Sequence, residues 1–400
     1  MTSNTLNIGL FGCGVMGQRH IKGMAKLRGI GRMAFRLAGV CDLIPASAKR
    51  AADLAEQLLG TRPAVFESFV DMHARLALDA ISITTMPDTH VALGMEALLA
   101  GVDVMVEKPI ALTVKQARRL VDSARHAKRK LAVAENYRRD PINRLAKALI
   151  DTGAIGKPCL MVQSSSGSGE HVIITPWRHL KRACGIVVDM GVHYTDLLEY
   201  FLGPLVSVEG MNAVVDRSRL GADGLVYPAD AEDLSVGMAR FASGAIASWL
   251  LNLAGRGAGH FQRAIYGTGG SLVIPVDRSG RPLELTVRQG GKDIVVTQEE
   301  QLRLVSDFKL DATTAALFGD ERLSHYVFEF ADIDANLLAI EYADFCDAIM
   351  ADHAPEVDGE QGLRALALVY GFLESERIGR SVSADELVSG AVAVYQDELL

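Results

Sequence analysis

What is scarce in this chain narrows the field first. Only 5 cysteines occur in 400 residues, at positions 13, 41, 159, 184 and 346, and no two form a CxxC pair. An odd, scattered set of this kind builds neither a disulfide framework nor a zinc ribbon; it reads as reduced thiols of a cytoplasmic protein. No charge-free apolar run reaches about 18 residues, so a membrane span is not expected. The opening Met1-Thr-Ser-Asn-Thr-Leu6 lacks the basic and then apolar segments of a secretory signal. Basic residues are in deficit, with Lys+Arg 41 against Asp+Glu 49. That balance argues against nucleic acid as a partner. Internal repeats and low-complexity tracts are missing too. What is present is ordinary for a globular protein: 49% apolar and 22% charged residues. At roughly 100–200 residues per domain, two or three domains are expected.

The first third alternates two periods. Short apolar runs at Leu6–Phe11, Leu37–Cys41, Ala80–Thr84, Val102–Val106 and Leu131–Ala134 read as strands. Between them, Val15–Leu27, Ala46–Leu58, His90–Leu99 and Val114–Ala127 read as helices. Strands apolar on both faces and alternating with helices imply a parallel sheet covered on both sides. The first strand runs into Gly12-Cys-Gly14-Val-Met-Gly17 and then a helix, the context in which GxGxxG holds a dinucleotide. Gly12 permits the tight turn, Gly14 leaves room for a pyrophosphate, and Gly17 lets the helix pack closely. The free N–H groups of the helix start, at Val15 and Met16, then face the phosphates. The second strand ends in Asp42, whose carboxylate suits a ribose diol and repels a 2′-phosphate. NAD is therefore expected in preference to NADP.

Four further segments follow in order: Ser82-Ile-Thr-Thr-Met-Pro-Asp-Thr-His90, then Val-Met-Val-Glu107-Lys108-Pro109, then Glu135-Asn-Tyr-Arg-Arg-Asp-Pro141, then Cys184-Gly-Ile-Val-Val-Asp189-Met-Gly-Val-His193-Tyr-Thr-Asp196. Together they resemble the Gfo/Idh/MocA oxidoreductases, the family of glucose–fructose oxidoreductase and inositol dehydrogenase. The likeness runs over nearly the whole chain. Two departures stand out. The family often shows three glycines before the Asp-x-Gly-x-His segment, where this chain has Ala183-Cys184-Gly185. Its members also usually have less chain between the last substrate-domain strand and the final helices. Here 302–332 is long and mixed, and is expected to be a lid, a subunit contact or an ordinary surface helix pair.

After Asp151-Thr-Gly153 the pattern changes to strands with few helices. They are expected at Cys159–Ser165, Val206–Val215, Leu234–Ala242, Ala245–Ala254, Ala264–Gly267, Leu272–Ile274, Leu283–Val287 and Asp293–Thr297, with one main helix at Gly185–Leu202. Ser164–Gly169 reads as a flexible piece suited to a substrate loop. The expected fold is thus an N-terminal α/β doubly wound parallel sheet of Rossmann type, over 1–135. An α+β domain with a large, mostly antiparallel open sheet follows over 136–358. A long amphipathic helix at 359–379 is expected to pack back on the first domain. An open sheet face invites a covering partner, and the resemblance implies a dimer or tetramer formed through it.

Hydride transfer from an alcohol needs a base for the hydroxyl proton and a donor for the developing alkoxide. Lys108 leaves the C-terminal end of a parallel strand, where open α/β sheets bind ligands. Asp189 and His193 are four apart, on one face of a helix. Spacing alone permits a structural pair or half of a metal site, but further ligands at metal spacing are lacking, so no metal is expected. The resemblance assigns the roles: Lys108, Asp189 and His193 catalytic, with Tyr137, Trp177 and Arg178 joining them around the substrate. It also implies a cofactor cleft of Gly12, Gly14, Val15, Met16, Gly17, Asp42, Thr84, Thr85, Pro87, His90, Glu107, Lys108 and Asn136. The activity it implies is NAD-dependent oxidation of a secondary alcohol on a sugar, sugar derivative, glycoside or cyclitol. The alternatives are an NADPH-dependent ketosugar reductase and a non-enzymatic nucleotide-binding regulator.

Overall fold

The computed structural model describes residues 5–399. Its N-terminal half is built on strands β1 (Leu6–Phe11), β2 (Phe35–Cys41), β3 (Ala64–Phe66), β4 (Ala80–Ile83), β5 (Asp103–Glu107) and β6 (Leu131–Ala134). They form one sheet in the order 3-2-1-4-5-6, and every pairing is parallel. Helices α1 (Val15–Gly29), α2 (Pro45–Leu59), α3 (Phe69–Leu76), α4 (Pro87–Leu99) and α5 (Val114–Ala127) connect the strands. Strand order reverses between β1 and β4, which opens a crevice at the carboxyl ends of the strands. The residue pattern explains the layers: Ile8, Leu10, Ile81, Ile83, Val104 and Val106 are all fully buried. Asp103 sits at the start of β5 despite its charge, because its carboxylate accepts the Lys130 N–H at 2.7 Å. The β3–α3 pair was not expected from sequence, since a three-residue strand is too short to show a period.

The second half begins with α6 (Pro141–Asp151) and β7 (Pro158–Ser168), followed by α7 (Ile186–Leu202) and β8 (Leu205–Ala213). A small hairpin, β9 (Ser218–Leu220) with β10 (Val226–Pro228), precedes β11 (Leu234–Phe241), β12 (Ile246–Gly255), β13 (His260–Gly267), β14 (Gly270–Ile274), β15 (Glu284–Gln289) and β16 (Lys292–Val296). Helices α8 (Gln298–Leu304), α9 (Ala312–Phe318), α10 (Phe330–Met350) and α11 (Gly359–Ile378) follow, then β17 (Val382–Ser383) and α12 (Ala384–Val388). The large sheet has nine strands in the order 16-15-14-13-7-12-11-8-17. All its pairings are antiparallel except β7 with β12. Its strands alternate: Val208, Ala239, Phe241 and Ala247 point into the core, while Met211, Val236, Met238 and Tyr266 are exposed.

Two expectations change. Ser164–Gly169 is no loop through most of its length, because Ser164, Ser165 and Ser166 pair with β12 on one side and β13 on the other. Its serines suggested flexibility, but both backbone edges are bonded. Helix α11 is not amphipathic; it is buried on nearly every side. It lies between the two halves, with Gly362 against Val133 of the first sheet and Gly371 against Val208 of the second. A methyl at either glycine would meet those side chains, and overpacking of this kind typically costs about 1–3 kcal/mol. The stretch 302–332, which includes the end of α8 and all of α9, is bonded to the rest of the chain. Arg322 donates to the carbonyls of Leu302 and Ser306, Tyr326 Oη donates to Asp140 at 2.8 Å, and Asn336 holds the Leu317 carbonyl at 3.1 Å. Helix α10 then packs on α1, where Gly23 leaves room for Leu338.

Candidate active site

The crevice has a floor made of backbone. Gly12 leaves β1 at φ 87°, in the left-handed region that favours glycine, and a Cβ there would come within 2.8 Å of the Thr84 backbone. A Cβ on Gly17 would collide with the Gly12 carbonyl oxygen. At Gly14, by contrast, a Cβ would meet nothing within 4 Å. Two glycines therefore serve packing, and the middle one faces open space. Helix α1 starts there with no side-chain cap, so the N–H groups of Val15, Met16 and Gly17 are left for a ligand. Thr84 Oγ1 fixes the loop through the Gly12 carbonyl at 2.6 Å. Asp42 closes its outer side, accepting from the N–H of Cys13 at 2.7 Å and of Ile44 at 2.8 Å. Burial pushes the Cys13 thiol up to about 12, so it stays neutral.

The next strand end holds Thr85, whose hydroxyl accepts from Thr89 at 2.6 Å, and Pro87, which starts α4. His90 does not line the cleft. It is fully buried, with its ring nitrogens 3.0 Å from the Pro109 carbonyl and 3.2 Å from the Thr85 carbonyl. It braces two loops instead. Glu107 is likewise turned inward, 2.8 Å from His20 Nε2, and His20 continues to Tyr342 and then Ser82. Burial works against the Glu107 charge, yet His20, Lys108 and Arg19 outweigh it and lower its pKa. Both side chains are thus held beneath the strand ends by protein partners.

The adjoining cluster is made of charged side chains. Lys108 extends from the end of β5, and its Nζ donates to the Asp189 carbonyl at 3.0 Å and to Oδ1 at 3.2 Å. Arg178 donates to the other carboxylate oxygen, and its guanidinium lies 5.0 Å over the half-buried Trp177 ring. Burial alone would push the Asp189 carboxyl up. The two cations hold it below the usual carboxylate range. One turn along α7, His193 Nδ1 lies 2.8 and 2.7 Å from the two oxygens of Glu135. The Tyr137 ring stacks on the imidazole at 4.1 Å and 6°. Burial pushes the Tyr137 and Tyr194 phenols up, so neither is a ready base. Before α7, Cys184 adopts φ 76°, so the bend favoured by glycine is made here by a buried cysteine. Such strain costs about 1–3 kcal/mol.

The structure therefore gathers Lys108, Tyr137, Arg178, Asp189 and His193 into one cluster beside the glycine loop. Trp177 meets this cluster through its contact with Arg178. Sequence reasoning missed two members. Glu135 was visible as a carboxylate at the C-terminal end of a parallel strand but was not assigned a place in the site. Arg278 had no local signal. It holds φ 59°, donates to Tyr137 Oη at 3.1 Å and to Asp334 at 3.1 Å, and lies 4.9 Å over Phe330. These groups suit a dinucleotide: uncapped N–H donors, open space at Gly14, and the buried acceptor Asn136 Oδ1, which has no hydrogen-bond partner among the described residues. Among the described residues, no group of three or more His, Cys, Asp or Glu is placed to hold a metal ion.

Known proteins place this geometry. Residues 6–135 match the model of an oxidoreductase family with an NAD-binding Rossmann fold, and residues 143–273 match the GFO/IDH/MocA C-terminal domain. An inositol 2-dehydrogenase of Rhizobium meliloti is 28% identical over 382 residues, 95% of this chain and 99% of that protein. A levoglucosan dehydrogenase of Pseudarthrobacter phenanthrenivorans is 27% identical over 299 residues, 68% of this chain and 74% of that protein. Among solved structures, levoglucosan dehydrogenase in complex with NADH and levoglucosan has a TM-score of 0.76 at 21% identity, covering 95% of this chain and 100% of that one. With its two halves matched in order and a glycine loop, Glu-Lys-Pro strand end and Asp189/His193 helix in place, the chain belongs to the Gfo/Idh/MocA oxidoreductases.

Proposed function

We propose that this oxidoreductase oxidises a secondary alcohol of a cyclitol, sugar or sugar derivative with NAD. The observation that carries the reading is the convergence of Lys108 Nζ, Asp189 and His193 at the carboxyl edge of the parallel sheet, the same edge at which the glycine turn follows β1. Gly12, Gly14, Gly17 and the first N–H groups of α1 would hold the pyrophosphate. Asp42, Thr84, Thr85 and Asn136 would complete the cleft. When bound, the nicotinamide supplies the two-electron acceptor for the carbinol carbon. The chain's own residues handle the oxygen and its proton. Lys108 donates to the reacting oxygen and favours its alkoxide form. Asp189 aims that ammonium, because it is itself fixed between Lys108 and Arg178. His193 Nε2 takes the hydroxyl proton. The preference for NAD rests on Asp42, whose carboxylate repels a 2′-phosphate. The substrate class follows the names of the relatives, which act on inositol and levoglucosan.

The exposed Met211, Val236 and Met238 on the free face of the large sheet support a homo-oligomer paired through that face. Light scattering near 43.0 kDa, the mass of one chain, would refute it. The activity itself is tested by following NAD reduction across a panel of cyclitols, free sugars, anhydrosugars and glycosides. Binding of NADH with no turnover on any of them would favour a nucleotide-binding regulator.

A further inference from the structure

We infer that Glu135 is a positioning residue for proton transfer at His193, holding the Nδ1–H so that Nε2 alone is left to take the substrate proton. The inference rests on the dehydrogenase reading of the site and adds a residue to it. Glu135 directly follows β6 and is almost completely buried. Both its oxygens lie within 2.8 Å of Nδ1, and Oε1 also accepts the Tyr137 N–H at 2.9 Å. Among the described residues, none hydrogen-bonds Nε2. The ring cannot easily turn, because Tyr137 stacks on it and Arg278 holds the Tyr137 hydroxyl.

A neutral imidazole carries one N–H, and a carboxylate only accepts. Facing Glu135, that hydrogen belongs on Nδ1, and the Nε2 lone pair is the base. When the substrate O–H breaks, its proton forms the Nε2–H bond. The alkoxide remains against the Lys108 ammonium, and the imidazolium lies against the Glu135 carboxylate. Without Glu135 the new cation would be stranded in a buried site. Burial, Lys108 and Arg278 drive the His193 pKa down, and burial pushes Glu135 up to about 7. Lys108, Arg138 and Arg278 face this pair as cations, while Asp189 and Glu107 face it as anions. Glu341 of α10 also faces Glu135, and burial pushes its carboxyl well above the usual range. Of these groups, Glu135 is the one in hydrogen-bond contact with the imidazole.

Two variants separate charge from geometry. Glu135→Gln keeps an acceptor oxygen and removes the charge; Glu135→Ala removes both. Nitrogen-15 NMR of the ligand-free protein reads the His193 tautomer without any substrate. The wild type is expected to show Nδ1–H, Glu135→Gln the same tautomer with a lowered imidazolium pKa, and Glu135→Ala a mixture. In turnover, Glu135→Gln is expected to lower kcat by about 10–100-fold, the usual scale for an orienting partner. Its rising pH limb should move to lower pH, with NADH binding unchanged. Glu135→Gln combined with His193→Ala should be no slower than His193→Ala alone, because the two act as a unit. An Nε2–H tautomer in the wild type, an unmoved pH limb in Glu135→Gln, or additive losses in the double variant would each overturn the inference. If no alcohol is oxidised by the wild type, the dehydrogenase reading fails, while the NMR result still decides what Glu135 does to His193.

Discussion

Between β1 and α1 the site is made of backbone; between β6 and α7 it is made of buried charge. The glycine loop works by leaving things out. Its N–H groups are useful because no side chain caps them, and Gly14 because nothing stands in front of it. The Lys108–Asp189–His193–Glu135 cluster works the other way, since each group is aimed by a neighbour of opposite charge in a place where water cannot screen it. The first region should tolerate loss of charge and fail on added volume. The second should tolerate little loss of charge while leaving cofactor binding intact.

The sharpest way to break that contrast is in the charged cluster. His193→Ala is expected to lower kcat by about 10²–10⁴, the usual range for a general base, with NADH affinity unchanged. Lys108→Ala should cost about 10²–10³, and Lys108→Arg should not restore the rate, because a planar fork cannot replace a compact ammonium. If either variant loses NADH affinity in parallel with rate, the two regions are not separate. Next comes Asp189→Asn, which leaves Lys108 and Arg178 without their shared anion. A substantial loss of kcat is expected, together with a second effect on stability. The folded-state pKa of Asp189 is depressed, so its contribution is present above the ordinary carboxylate pKa of about 4 and fades as pH falls through the lower folded value. Acid unfolding of Asp189→Asn should therefore be less steep below about pH 4. An unchanged slope would show that this carboxylate does not couple to folding.

On the loop, Gly14→Ala offers the mirror image. The added methyl meets no protein atom, so the melting temperature should hold. NADH affinity should fall by about tenfold, about 1.4 kcal/mol, while kcat at saturating cofactor stays close to wild type. A destabilised variant with normal affinity would mean that the open space serves folding. The smallest effect is expected at Asp42→Ser, a shift of several-fold in the NADP to NAD ratio of kcat/KM through loss of repulsion. A wild type that already prefers NADP would refute the role given to Asp42.

The same division governs how much could be read in advance. The parallel strands, the glycine turn and Asp42 were legible because each is encoded within a few residues of itself. The charged cluster was legible only in part. Lys108, Asp189 and His193 stood in motifs, but Glu135 lies 58 positions before its partner and Arg278 141 positions after Tyr137, and no local period links them. Helix α11 was read as amphipathic because residues such as Arg364 and Glu374 break its apolar pattern. In the fold, Glu374 is buried and accepts the Tyr395 N–H at 2.9 Å, so a polar residue marks a buried bond, not a wet face. The serines of β7 misled for a related reason: small polar residues suggest a loop until their backbone finds two strands.

The seating of α11 has a mechanical corollary. One helix near the C-terminus is pressed into both sheets at once, through Gly362 on one side and Gly371 on the other, with Gly210 and Gly237 of the second sheet giving way to Phe372. A clamshell motion that parted the halves would have to lift this spine out of two close-fitting seats and wet Val133, Val208 and Phe372 together. The economical route for loading and unloading is therefore local, through the loops over the crevice. Hydrogen exchange should find the α11 amides among the slowest in the molecule, with or without NADH, while protection gained on cofactor binding concentrates around Gly12–Gly17. Fast exchange along α11 in the free protein would instead mark it as a hinge.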